Sequence, residues 1–199
     1  NIEGKGEISM LDLLVNSLRM RPDRIIVGEI RRKREAEVLF EAIHTGHSVY
    51  ATVHANNVQE TITRLTRPPI EVPKTMLPAI SMIIVQYRNR RTRIRRTFQI
   101  AEILPDARPN ILVQFDTYKD ILQNVNKPVV LFDTLQLYTG LSKKEIEEDL
   151  KLKEKVLKYL VNNKVNTVES VGRVMAEYYT DKDNLMAFVN KNKLLGGLK

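Results

Sequence analysis

The sequence has 199 residues, of which 43% are hydrophobic and 28% are charged, a composition typical of a globular protein that can bury a core. It contains no cysteine, which excludes disulfides and cysteine-based metal sites, and no apolar run approaches the roughly 20 residues of a membrane-spanning helix. The net charge of +8 favours an acidic partner, such as nucleic acid, anionic lipid, polyphosphate or an acidic protein face.

The first third of the sequence predicts helices that alternate with short buried strands. Apolar residues recur at helical spacing after Ser9, which stands at capping-box spacing from Asp12, and the strand candidates are short, continuous and rich in β-branched residues. The predicted elements are a helix over residues 9–20, a strand over 24–28, a helix over 33–44, a strand over 48–53 and a helix over 57–67. This order predicts a parallel sheet with helices against its faces.

The pattern changes after Pro68 and Pro69. Three strands joined by tight turns are predicted over residues 82–87, 93–104 and 110–115, which favours an antiparallel arrangement. Beyond Pro128 the sequence becomes helical, and Ser142 with Glu145 forms a capping box that opens the first of three helices, over residues 142–163, 167–179 and 182–191. We therefore predict an α/β fold in which a parallel sheet is followed by antiparallel strands and a C-terminal helical appendage.

An acidic residue directly follows the first predicted strand. Glu29 comes after Gly28, at the carboxyl end of the strand, where open parallel sheets bind their ligands. Gly28 leaves room for a ligand to approach closely. A carboxylate in this place can orient a water that attacks a phosphoryl group, or act on Mg²⁺ through its bound waters. The alternative is a turn glutamate that is ion-paired with a neighbouring arginine.

Two histidines flank the second predicted strand. His47 stands where this strand begins and His54 where it ends. If the two strands are parallel, His54 lies at the same sheet edge as Glu29, where it can hydrogen-bond a terminal phosphate or the attacking water; a structural histidine is the alternative. We predict no protein-bound metal site at His44, His47 and His54, because no HExxH helix is present and the last two fall at opposite ends of one strand.

Positive charge accompanies this predicted edge, but a phosphate-binding loop does not. Transfer of a phosphoryl group needs cations around the developing anion, and arginines near the strand ends or on adjoining helices are Arg19, Arg21, Arg31, Arg32 and Arg64. The stretch from Gly4 to Glu7 is no phosphate-binding loop, because it lacks a spaced first glycine and a Ser or Thr after Lys5. The residues by themselves therefore predict half of an active site.

Two motifs resemble those of a known superfamily. The run LRMRPDRIIVGEIR, residues 18–31, resembles the Walker B signature of the secretion ATPases, which power type II secretion, type IV pili, archaeal flagella and related type IV secretion machines. The run TGHSVYATVH, residues 45–54, resembles the histidine box of the same superfamily and stands at the expected distance after Walker B. The resemblance covers about residues 7–104 and is closest to the archaeal and tight-adherence branches.

The resemblance implies a RecA-like ATPase core that forms a hexameric ring at the cytoplasmic face of a membrane, with ATP and Mg²⁺ as cofactors. Glu29 would be the Walker B acid that polarises the attacking water and reaches Mg²⁺ indirectly, while His54 would contact the γ-phosphate and His47 would support the histidine box. Further residues implied to contact nucleotide, some of them across the subunit interface, are Gly28, Arg19, Arg31 and Arg64. The implied partner is an inner-membrane assembly-platform protein of a secretion or filament system.

The chain departs from the superfamily pattern in two places. Arg32, followed by Lys33 and Arg34, stands where the superfamily usually has a small or acidic residue. The Walker A loop, the acidic box and the N-terminal domain are missing, and we expect them upstream of Asn1. Residues 1–116 are then expected to be the C-terminal part of the RecA-like domain, 117–140 a linker and 141–199 a helical extension, and we expect this chain alone to be inactive as an ATPase.

Two other functions stay open at this point. The basic stretch over residues 87–96 could lie along a phosphate backbone as part of a nucleic-acid-binding module without ATPase activity, although only Tyr87 and Phe98 stand near it to stack on bases, so we disfavour nucleic acid as a partner. A non-catalytic regulator or scaffold is the second alternative. The presence of both Glu29 and His54 argues against it, because such a protein has no physical need to keep them.

Overall fold

A computed structural model describes residues 8–196 of the chain. Its elements are α1 (Met10–Arg19), β1 (Arg24–Val27), α2 (Lys33–His44), β2 (Ser48–Ala51), α3 (Val58–Thr66), a 3-10 helix (Lys74–Ala79), β3 (Ile83–Arg88), β4 (Arg95–Ile103), β5 (Pro109–Asp116), β6 (Ile121–Asn124), α4 (Val130–Thr139), α5 (Lys143–Asn162), α6 (Val168–Thr180) and α7 (Lys182–Lys191). The stretch from Gly4 to Glu7, in which we expect no phosphate-binding loop, lies outside the described residues.

The predicted parallel sheet is present as a pair of strands. β1 and β2 run parallel, with Arg24 opposite Ser48 and Val27 opposite Ala51, and α2 makes the connection between them, as parallel strands require. Only one face of the pair is covered by described residues, because Ile26 is 79% exposed and its cross-strand partner Tyr50 is 57% exposed. The expectation of buried strands is therefore correct for Ile25 and Val27 of β1 and wrong for β2, none of whose residues is buried.

The antiparallel part of the fold contains four strands where three were predicted. The strand order is β3-β4-β5-β6, and all three neighbouring pairs are antiparallel. The additional strand, β6, is exposed at each of its four residues, so its sequence carries no alternation of buried and exposed positions from which it could be predicted. The α/β class, with a parallel sheet, antiparallel strands and helices, is confirmed.

One hydrophobic core joins the parallel pair to the antiparallel sheet. It takes in Leu39 of α2, Leu77 of the 3-10 helix and Ile103 of β4, each with at most 1% of its surface exposed. Two of the helices that supply this core begin at side-chain caps: Ser9 and Asp12 form the predicted capping box of α1, and the side chain of Asn57 caps α3. Residues of both β1 and β2 pack on this core, which holds the two strands, and the loops that follow them, next to each other.

A fully buried glutamate connects β4 to the start of α4. Glu102 has 0% of its surface exposed, and its carboxylate accepts hydrogen bonds from the backbone N–H groups of Val129 and Leu131, both at 2.8 Å, and from the side-chain amide of Asn110 at 2.7 Å. Two of the donors lie at the N-terminus of a helix, where negative charge is favoured. Sequence analysis did not identify Glu102, since its backbone partners are 27 and 29 residues away.

The helical end of the chain has its own core. The three predicted helices are confirmed as α5, α6 and α7, and Ser142 and Glu145 form the capping box that opens α5. Val156, Val174 and Leu185 are buried here. The Tyr178 hydroxyl donates to the Asp149 carboxylate at 2.6 Å, and burial together with this bond raises the pKa of the Tyr178 phenol.

The chain divides into two compact units, one that extends to Asp133 and one that begins at Thr134. The division falls inside α4, in the region predicted as a linker. The functional boundaries after residues 116 and 140 stay a prediction. None of the described helices is both long and apolar enough to cross a membrane.

Candidate functional site

The backbone around Glu29 is held between the extensions of two parallel strands. Beyond the last paired residues of β1 and β2, the Ile30 N–H donates to the Thr52 carbonyl at 3.0 Å, and the Thr52 hydroxyl donates to the Gly28 carbonyl. These two bonds fix the residues on either side of Glu29. Apart from the adjoining residues of the chain, no described atom lies within 4 Å of the place that a Cβ at Gly28 would take, so the space next to the acid is open.

Both oxygens of the Glu29 carboxylate face a basic side chain. Arg31 donates from Nε to Oε2 at 2.6 Å, and Nε2 of His54 lies 3.4 Å from Oε1. The Glu29 side chain is only 16% exposed, whereas those of Arg31 and His54 are mostly exposed. Glu29 and His54 therefore converge as predicted, because each follows the carboxyl end of one strand of the parallel pair.

Positive charge keeps Glu29 ionised. The hydrogen bond from Arg31 is the largest influence and lowers the pKa of the Glu29 carboxyl against a smaller, opposing effect of desolvation. The charges of Arg31, His54 and Arg64 lower this pKa further, in that order. The site thus presents a carboxylate, and not a carboxylic acid, to whatever binds beside it.

Two clefts border this carboxylate. One, of about 350 Å³, is lined by Glu29, Ile30, Arg31, His54, Arg64, Pro69 and Ile70. The other, of about 510 Å³, is lined by Met10, Gly28, Glu29, Arg31, Arg32 and Glu35. Both contain Glu29 and Arg31, so this ion pair stands where the two clefts meet.

A structural ion pair accounts for only part of this arrangement. The pair of Glu29 with Arg31 is the contact that the alternative interpretation, a turn glutamate beside a neighbouring arginine, leads us to expect. That interpretation gives no reason for the approach of His54 to the second carboxylate oxygen, or for the position of Glu29 in both clefts. The geometry favours a site for a ligand.

Two of the predicted site residues lie away from Glu29. His47 stands before β2, at its opposite end, where its Nδ1 is 3.2 Å from both the Thr45 hydroxyl and the Ala42 carbonyl. Arg19 is an exposed residue in the last turn of α1 and lines neither cleft. Within residues 8–196, no group of three His, Asp or Glu side chains is arranged to hold a metal ion.

Three positioning residues were not identified from the sequence. The Glu35 carboxylate accepts from the N–H groups of Arg31 and Arg32 and so caps α2 beside the site. Thr52 clamps the loop at Gly28. Gln99, on β4, accepts from the N–H of Val58 at 2.8 Å and thereby fixes the start of α3. A glutamate three residues after a helix cap is a local signal for Glu35; the other two contacts are long-range.

The motifs on these two strands agree with a family match. The family described as "Type II/IV secretion system protein" matches residues 1–107, which is more than half of the chain. The chain belongs to the type II/IV secretion system protein family. The matched residues include both strands of the parallel pair, Glu29 and His54, and the superfamily resemblance of the sequence motifs is confirmed.

Individual relatives are longer than this chain. An uncharacterised protein of Methanocaldococcus jannaschii is 35% identical over 175 residues, which cover 84% of this chain and 64% of that protein. The type IV pilus assembly ATPase PilB of Acinetobacter baylyi is 31% identical over 145 residues, covering 70% and 24%. The protein transport protein HofB homolog of Escherichia coli is 41% identical over 86 residues, covering 43% and 18%. The chain spans less than two thirds of each of these relatives.

Proposed function

We propose that this chain is the carboxyl-terminal section of an ATPase that couples ATP hydrolysis to protein export or to the assembly of a filament. The observation that carries the proposal is the approach of His54 to Glu29 at the carboxyl ends of two parallel strands, 3.4 Å between Nε2 and Oε1. Open parallel sheets bind ligands at this edge. The relative named as a type IV pilus assembly ATPase supports the same reaction.

The side chains around Glu29 fit the end of a Mg²⁺-bound triphosphate. Arg31 and Arg64 bring positive charge into one cleft, where it would offset the charge of the phosphates, and His54 is exposed on the same cleft. The ionised Glu29 would hold waters, either those of Mg²⁺ or the attacking one. Mg²⁺, when bound, would supply charge that stabilises the transferring phosphoryl group.

We assign the chemical steps to two residues. Glu29 orients the attacking water and accepts hydrogen bonds from it, because its carboxylate remains negatively charged beside Arg31. His54 donates a hydrogen bond to the terminal phosphate, and this bond becomes stronger as negative charge develops on the phosphate oxygens. Arg31 has to leave Glu29, at least in part, when the anionic ligand enters, since the ligand and the Glu29 carboxylate compete for the same guanidinium group.

The remaining residues belong to the proposed nucleotide contacts in different ways. Gly28 leaves space beside the acid. Arg64 lines the cleft, whereas Arg19 is exposed outside it and could act only on a nucleotide held by another subunit. His47 contacts the end of α2 and would act by positioning the start of β2.

We propose a RecA-like core, a hexameric ring and a site of action at the cytoplasmic face of a membrane, next to an assembly-platform protein.

Substitution of the acid in the full-length protein tests this proposal. Glu29→Gln should lower ATP hydrolysis at least about a hundredfold while nucleotide affinity stays within a few-fold, because it removes the charge that aligns water and leaves the phosphate contacts in place. Glu41→Gln, an exposed glutamate of α2, is the matched control and should leave the rate unchanged. Loss of nucleotide binding in Glu29→Gln would show that Glu29 has another role.

The isolated chain provides a second measurement. Since no phosphate-binding loop was found in its sequence, we expect weak binding of Mg-ATP and no appreciable turnover. Robust hydrolysis by the 199 residues that disappears in Glu29→Gln would contradict the need for a loop supplied from elsewhere.

A further inference from the structure

The turn between β3 and β4 carries the highest density of positive charge in the chain. Six arginines fall within residues 88–96: Arg88, Arg90, Arg91, Arg93, Arg95 and Arg96. Arg96 forms a two-pronged ion pair with Asp120, with both N–O distances at 2.8 Å. The other five are exposed and have no acidic partner among residues 8–196. Neighbouring guanidinium groups repel one another, and an anionic surface relieves that repulsion.

A second turn lies at the same end of the antiparallel sheet. Because β4 and β5 are antiparallel, with Gln99 opposite Gln114, the start of β4 lies beside the end of β5, where the turn to β6 follows. The ion pair of Arg96 with Asp120 joins the two turns. We call residues 88–96 and 116–122 the basic edge. It contains seven cations, including Lys119, and two carboxylates, those of Asp116 and Asp120.

Hydrogen bonds within the first turn hold its arginines in place. The side-chain oxygen of Asn89 accepts from the N–H groups of Arg91 and Thr92, at 2.9 and 3.1 Å. The Asn89 N–H donates to the Ile94 carbonyl at 2.9 Å. These bonds close the turn without using any guanidinium group. The five arginines other than Arg96 are therefore available to a partner without loss of an ion pair within the described residues.

Exposed apolar side chains accompany the charge. Tyr118, on the second turn, is 98% exposed, and Ile94, Ile121 and Leu122 are also exposed on the basic edge. Arginines mixed with an aromatic residue and aliphatic residues are typical of surfaces that enter the headgroup region of a bilayer, where cations meet phosphates and apolar groups meet acyl chains.

A nucleic-acid strand fits this edge less well. Single-stranded nucleic acid is bound in grooves with several aromatic side chains on which bases stack. Tyr118 is the single exposed aromatic residue of the basic edge, and neither of the clefts at Glu29 includes residues of this edge. The aliphatic residues have no counterpart on a phosphate backbone.

We propose that the basic edge binds the surface of a bilayer that contains anionic lipids. The arginines would contact headgroup phosphates, and Tyr118 and Ile94 would enter the interface between headgroups and acyl chains. Lipid phosphates are laterally mobile, so they can gather under the turns without a fixed register. The contact involves neither Glu29 nor His54, and it therefore can fail while the proposed ATPase function holds, or hold while that function fails.

Vesicle binding by the 199-residue chain tests the proposal. The probes are vesicles of phosphatidylcholine alone and vesicles with about a third phosphatidylglycerol, compared by co-sedimentation at low and high salt. We expect binding to the anionic vesicles only, and a strong decrease with salt. The variant R90Q/R91Q/R93Q should lower the partition coefficient by about a hundredfold, since each basic residue near an anionic surface contributes about fivefold.

A matched variant separates the basic edge from net charge. K151Q/K155Q/K191Q removes the same charge from exposed lysines of the helical unit and should retain most of the binding. Equal losses in the two triple variants would overturn the proposal. I94S/Y118S should weaken vesicle binding severalfold at every salt concentration, because it removes apolar contacts with the bilayer, which salt does not screen.

Binding of the basic edge to nucleic acid, instead of lipid, is the alternative that oligonucleotides test. Fluorescence anisotropy with single-stranded and duplex DNA at the same salt concentration measures their affinity for the chain. Binding of DNA that depends on the three arginines, without binding to anionic vesicles, would overturn the proposal in favour of a nucleic acid. Circular dichroism of each variant checks that the loss of binding is not a loss of the fold.

Discussion

Two shielded glutamates of this chain are held by different kinds of donor. Glu102, on β4, has 0% of its surface exposed and accepts from two backbone N–H groups and one side-chain amide. Glu29, after β1, has a side chain that is 16% exposed and faces the exposed side chains of Arg31 and His54. The first carboxylate is bound by neutral groups of the fold itself, and the second faces basic side chains at the surface.

The difference separates a structural acid from an acid that can take part in chemistry. Neutral backbone donors cannot leave Glu102 unless the start of α4 unravels, and the residue has no exposed surface, so a ligand cannot reach this carboxylate. The partners of Glu29 are long or exposed side chains that can turn to a bound anion and later return. Burial alone therefore does not identify a functional acid; the kind of donor and the presence of a cleft do.

The largest expected effect is on stability, and it belongs to Glu102. Glu102→Ala removes a fully buried acceptor from two backbone N–H groups and one side-chain amide, and should lower the free energy of unfolding by about 3 kcal/mol. Urea unfolding followed by circular dichroism measures the loss. Glu29→Ala is the comparison and should cost far less, because its partners are solvent-exposed. Similar losses in both variants would mean that the two acids are not distinguished by their donors.

A smaller loss is expected at Gln99, which links β4 to the start of α3. Gln99→Leu removes the acceptor of the Val58 N–H and should lower the free energy of unfolding by about 1 to 2 kcal/mol. Hydrogen exchange of the Val58 amide should become faster. Gln59→Leu, an exposed substitution on the same helix, is the control. Unchanged protection of Val58 would show that the Asn57 cap alone fixes the start of α3.

The smallest expected effect is a shift of one titration. Arg31→Gln should raise the pKa of Glu29 towards its ordinary value, and Arg64→Gln should raise it less, because Arg31 supplies a hydrogen bond and Arg64 only its charge. A carbon-13 NMR titration of the Glu29 carboxyl measures both. Arg34→Gln, which removes a charge paired with Glu37, should leave the pKa of Glu29 unchanged. An equal rise in the first two variants would contradict the ranking.

The same shift has a consequence for stability against pH. The folded-state pKa of Glu29 lies below the unfolded value, so its ionisation stabilises the fold above the unfolded pKa. This contribution is lost as the pH falls through the lowered, folded-state pKa. Arg31→Gln should therefore make stability less dependent on pH in the acid range where Glu29 titrates.

Local signals in the sequence were sufficient for most elements and for the main pair of the site. The caps at Ser9 and Ser142 predicted helix starts because the cap and its partner are three residues apart. The convergence of Glu29 and His54 was predictable, since the ends of parallel strands share an edge.

Contacts between distant residues could not be predicted in this way. The acceptors Glu102 and Gln99 each meet a backbone N–H more than 25 residues away, and no spacing rule connects such positions. The position of His47 before β2 indicated that it lies away from Glu29, because His54 and Glu29 follow the opposite, carboxyl ends of the strands. The resemblance to the histidine box did not show this separation, because that motif contains both His47 and His54. A motif states which residues occur together in a sequence and not which of them meet in space.

The clamp between Thr52 and the loop at Gly28 links the two proposed catalytic groups mechanically. Thr52 holds both neighbours of Glu29 and stands two residues before His54. The backbone that leads to His54 is therefore bonded to the backbone that carries the acid, and the two segments should move together when a ligand binds. The exposed His54 side chain stays free to turn from the carboxylate to a phosphate during such a movement.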